Sequence, residues 1–208
     1  MPHDACHEPD AAFAGQSPAY RRVLWAVIVI NASMFIVEIV AGIAARSQAL
    51  QADALDFAGD SATYALSLFV LSRPPVWRAN AALFKGVSLA AMGLFVFGST
   101  VWRVFTYTVP EPLTMGVVGV LALAANLVSL LLLLRYREGD ANVRSVWLCS
   151  RNDAIGNVAV VFAASGVFAT AAAWPDLLVA AIMAGLFLAS AFRIIRQAMA
   201  EKAALASP

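Results

Sequence analysis

Apolar residues fall into six long runs, over 23–45, 50–71, 79–106, 113–134, 143–173 and 177–195, separated by arginine, proline or a Gly-Asp pair. Each approaches or exceeds the roughly 20 residues that carry a helix across a bilayer. The strict alternation of a lipid-facing strand is missing, and the runs outlast the roughly ten residues such a strand uses. The pattern predicts an all-α membrane protein of six transmembrane helices. Three parts are expected: a polar, disordered tail over 1–20, a six-helix transmembrane domain over 21–199, and a short tail over 200–208.

Composition agrees: 62% of the 208 residues are hydrophobic and 13% charged, against an apolar share of about half in soluble domains. A water-soluble globule is excluded. The net charge is +1 with no long basic run, so nucleic acid is not an expected partner. Cys6 lies in a polar tail and Cys149 in an apolar run, which argues against a disulfide framework. The first twenty residues lack the apolar core of a secretory signal, leaving the first span to direct insertion.

Arg21, Arg22, Arg73, Arg78, Arg135, Arg137, Arg144, Arg193, Arg196 and Lys202 collect at alternate helix ends, whereas the opposite ends offer Arg46 and Arg103. Positive charge stays on the cytoplasmic side, so both termini are expected in the cytoplasm. Small residues recur every fourth position at Ala181, Gly185 and Ala189, a spacing that suits close helix packing.

The candidate chemistry lies in the acids inside the spans, each of which costs about 2.5 to 3.5 kcal/mol to insert at mid-bilayer. Glu38 falls in helix 1, Asp53, Asp56 and Asp60 in helix 2, and Asp153 with Arg151 in helix 5. Four residues advance a helix by about 400°, so Asp56 and Asp60 project from one face about 6 Å apart. Cys149 and Asp153 repeat that spacing on helix 5. Three carboxylates and a thiolate suit a four-coordinate divalent ion, and the sulfur favours Zn²⁺ or Cd²⁺ over Mg²⁺ or Ca²⁺.

The run Ser47-Gln-Ala-Leu-Gln-Ala-Asp53-Ala-Leu-Asp56-Phe-Ala-Gly-Asp60-Ser61 resembles the helix 2 pattern of the cation diffusion facilitator family, and Cys149-Ser-Arg-Asn-Asp153 its helix 5 pattern. Cys149 stands where the family usually carries His or Asp, and Asn157 follows where a small polar residue is common. The resemblance implies a six-helix exporter of Zn²⁺, and of Cd²⁺ given the cysteine, in exchange for protons. Co²⁺, Mn²⁺ and Fe²⁺ rank behind them as cargo. It implies a short form lacking the family's C-terminal cytoplasmic domain, in a bacterial inner membrane. Lipid, protons and a second copy of the chain, as a homodimer, are the expected partners, with no permanently bound cofactor.

Asp56, Asp60, Cys149 and Asp153 are thus the expected metal ligands, around which alternating access would exchange the ion for protons competing for the same lone pairs. Accessory candidates are Asp53, as an ion guide or a helix cap, Glu38, as a packing acid with Arg151 as a candidate partner, and Asn157. His3, Cys6 and His7 could collect metal at the entrance. Lys85 and Arg103 are read as snorkelling side chains without a function of their own. Rival readings are an intramembrane aspartyl protease using Asp60 and Asp153, against which Phe57-Ala58-Gly59 lacks the first glycine of Gly-x-Gly-Asp, and a transport-inactive metal sensor.

Overall fold

The computed structural model describes residues 17–70, 75–106, 108–136 and 141–206, with the side chains of residues 67, 70, 75, 78, 141–149, 152, 204 and 206 outside the described set. Six helices follow one another: α1 (Pro18–Ala44), α2 (Gln48–Val70), α3 (Pro75–Thr106), α4 (Pro112–Leu133), α5 (Ala141–Thr170) and α6 (Trp174–Ala206). A single 3₁₀ turn, Leu134–Tyr136, extends α4, and no strand occurs among the described residues. Five segments are long and apolar enough to cross a membrane, from α1, α3, α4, α5 and α6. The sixth helix, α2, carries the three aspartates that lower its hydropathy.

The helices open on proline wherever the first-turn amide has no partner to lose, at Pro18, Pro75 and Pro112. Ser17 caps α1 by accepting the Tyr20 amide. Glu111 caps α4 by accepting the amides of Leu113 and Thr114. The α1–α2 connection is tight. Arg46 adopts φ 58°, the Ser47 amide donates back to the Gly42 carbonyl at 2.9 Å, and a Cβ on Gly42 would meet the Gln51 backbone nitrogen at 3.0 Å. Glycine there lets α1 and α2 approach closely without the shift that a Cβ would demand of its neighbours.

Helices pair α1 with α2, α3 with α6 and α4 with α5, while α2 also packs on α3, α5 and α6. That makes α2 the central element. One apolar core gathers Ala49, Leu50, Met115, Val160, Val167 and Ala184 near the α1–α2 turn. Another gathers Tyr20, Leu24, Tyr64 and Leu133 at the end carrying Arg21, Arg22 and Arg135. Met34, Phe57 and Ala122 form a small cluster between them. The acids of α1, α2 and α5 fall in that middle zone, while Trp102, Phe105, Phe162 and Phe168 face outward as lipid-contacting surface.

α6 continues to Ala206, so most of the short tail expected over 200–208 is helical. Its alanines favour helix and Gln197 donates to Glu201 one turn on at 2.9 Å. The Ala181, Gly185 and Ala189 stripe faces outward and a Cβ on Gly185 meets nothing within 4 Å. The packed face of α6 is Ala180, Ala184, Phe187 and Ala191 instead.

Candidate metal site in the bundle

One helical turn separates Asp56 from Asp60, and the structure turns both toward α5, where the Asp153 carboxyl lies in hydrogen-bonding contact with each. Three aspartates from two helices therefore meet. The Tyr64 hydroxyl, one turn further along α2, donates to Asp60 Oδ2. Its ring is 1% exposed in the apolar core of the arginine-rich end, which fixes the direction of the hydroxyl. Among the described residues no group of three acidic, thiol or imidazole side chains is arranged to hold a metal ion.

Cys149 lies on α5 one turn before Asp153, and its side chain falls outside the described residues. His3, Cys6 and His7 also fall outside them. Asn157, one turn beyond Asp153 on the same face, is fully buried with neither amide atom hydrogen-bonded. Glu38 of α1 faces Asp53 of α2, both buried, although neither Glu38 oxygen reaches hydrogen-bond geometry. The neighbour of Glu38 is thus an acid, and Arg151 is an exposed residue of α5.

Asp53 does not cap α2. Ser47 does so together with Asp176 of α6, whose carboxylate accepts the Gln48 amide at 2.8 Å and the Ala49 amide at 3.0 Å. Lys85 of α3 has a place at the site as well: its charge acts on both Asp56 and Asp60. Sequence spacing contained the Tyr64 signal, four residues after Asp60. Lys85 and Asp176 carry no such signal, because each reaches α2 across a helix interface.

Residues 24–201 match the cation efflux transmembrane domain. The zinc transporter ZitB of Escherichia coli (strain K12) is 27% identical over 215 residues, covering 96% of this chain and 66% of ZitB. The metal cation efflux system protein CzcD of Cupriavidus metallidurans is 26% identical over 174 residues, covering 78% of this chain and 55% of CzcD. The chain thus spans slightly less than two thirds of ZitB and about half of CzcD. The chain belongs to the cation efflux family, and its long apolar helices are those of that family's transmembrane domain.

Proposed function

We propose that the chain moves a divalent transition-metal ion out of the cytoplasm in exchange for protons, with Zn²⁺ the first cargo and Cd²⁺ the second. The observation that carries the reading is the contact of Asp153 with both Asp56 and Asp60. Three carboxyls inside a bundle of largely apolar helices have a use if a dication enters among them. The similarity to ZitB, a zinc transporter, and to CzcD, a metal cation efflux system protein, points the same way.

The chemistry is competition. An arriving ion takes the lone pairs that the shared protons hold, and the protons leave; protons arriving from the far side reverse the trade. Cys149 completes a four-ligand set from the same face of α5, and its sulfur favours Zn²⁺ and Cd²⁺ over harder ions. Rocking of helix groups exposes the cluster to one side and then the other.

Purified protein in vesicles containing a metal indicator and a pH dye tests this. Zn²⁺ entry should move protons the opposite way. Asp60→Asn and Asp153→Asn should each cut flux at least tenfold, and Cys149→Asp should lower the Cd²⁺ to Zn²⁺ ratio. Unchanged flux in the aspartate variants overturns the site, and binding without flux overturns transport.

A further inference from the structure

Glu38 and Asp53 form an acid pair apart from the three joined aspartates. They are 0% and 1% exposed, and both Glu38 oxygens and Asp53 Oδ2 have no hydrogen-bond partner. Counting helix rise back from Ala44 and Gln48, the pair lies about 8 to 9 Å inside the end that holds the α1–α2 turn. Asp56 and Asp60 lie about 12 and 18 Å in by the same count. The pair therefore stands between the cluster and that end of the bundle, with Asp56 next to it along α2.

A second observation comes from a different helix. Asn157 is 0% exposed and both of its amide atoms lack a partner. It projects from the face of α5 that carries Asp153, one turn nearer the α1–α2 turn, about 6 Å along the axis. Since Asp153 touches Asp56 and Asp60, Asn157 opens on the seam between α2 and α5 at the level of Asp56 and Asp53. Buried polar atoms without partners are costly and rare. Here five of them, three carboxyl oxygens and two amide atoms, belong to three helices around one stretch of the bundle.

We propose that Glu38 and Asp53 form a second position for a divalent cation, a relay one step beyond the aspartate cluster, with the Asn157 carboxamide oxygen facing the ion as it passes between the two. The proposal rests on the transport reading above. Two carboxylates balance the charge of a dication, and water completes its coordination. All donors are oxygen, so the relay takes hard ions such as Mn²⁺ that a sulfur-containing site disfavours. Selectivity then resides in the aspartate cluster, and the relay only passes the ion on.

Equilibrium dialysis of the full chain in lipid nanodiscs against radioactive Zn²⁺ tests it. Two ions per chain are expected at saturation, one in Glu38→Gln, one in Asp53→Asn, one in Asp60→Asn, and none in the Asp60→Asn/Glu38→Gln double variant. One ion in the unmodified chain, kept in Glu38→Gln and lost in Asp60→Asn, overturns the relay and leaves the transport site standing. No specific binding in any form overturns both. If the Glu38 and Asp53 variants fail to fold, Mn²⁺ resonance on Asp60→Asn, which lacks the cluster, decides: one bound Mn²⁺ per chain supports the relay, and no bound Mn²⁺ overturns it.

Discussion

Ser47 donates its hydroxyl hydrogen to Asp176 Oδ1 across 2.6 Å, so the residue that begins α2 is bonded to the first turn of α6. The same hydroxyl accepts the Leu50 amide at 3.0 Å while Asp176 accepts those of Gln48 and Ala49. The first-turn amides that a helix leaves orphaned are thereby met inside the protein. Asp176→Ala strands buried donors and should destabilise the fold by about 2 to 3 kcal/mol, read as a lower melting temperature in nanodiscs. Asp176→Asn keeps Oδ1 and should lose less. Equal melting of all three forms would mean that the clasp bears no load.

Tyr64→Phe keeps the buried ring and removes the hydrogen bond to Asp60. Metal affinity should fall about ten- to a hundredfold, as expected for one lost hydrogen bond to a charged ligand, with melting little changed. Titration of Zn²⁺ binding in the purified variant measures this, and unaltered affinity would separate Tyr64 from the site.

Lys85 acts with the opposite sign. A fixed positive charge near Asp56 and Asp60 attracts the carboxylates and repels an incoming dication, so Lys85→Gln should tighten cation binding by about three- to tenfold. Weaker binding would show that the lysine organises the cluster and does not compete with its cargo.

Glu111 offers a pH test away from the membrane interior. Hydrogen bonds from Thr114, then Leu113, hold its carboxyl below the ordinary glutamate value of 4.5. A depressed value means that the cap is at full strength at neutral pH and is lost as pH falls through the folded-state value, below 4.5. Amide exchange at Leu113 and Thr114 should quicken, relative to the intrinsic rate, on acidification through that range. In Glu111→Gln the extra acid sensitivity should vanish.

Much of this was legible in the sequence because it depends on one-dimensional spacing. Asp56 with Asp60, and the position of Asp153 four residues after Cys149, put candidate ligands on defined helix faces before any packing was known. What spacing could not give was contact between helices. Lys85 looked like a snorkelling cation because nothing along α3 marks its approach to α2. Asp176 serves the amides of another helix, which no spacing along α6 marks. Residues 200–206 continue α6 because charged residues among alanines are good helix formers, a preference that apolar periodicity alone does not mark.

The Glu111 amide also donates to the Ala45 carbonyl at 2.9 Å, which joins the approach to α4 to the same turn that Asp176 secures from α6. The α1–α2 turn, the approach to α4 and the first turn of α6 are laced together on that rim by polar bonds of fixed direction. Any stroke that uncovers the rim must carry the leading turns of α2, α4 and α6 as a single block or unlace it.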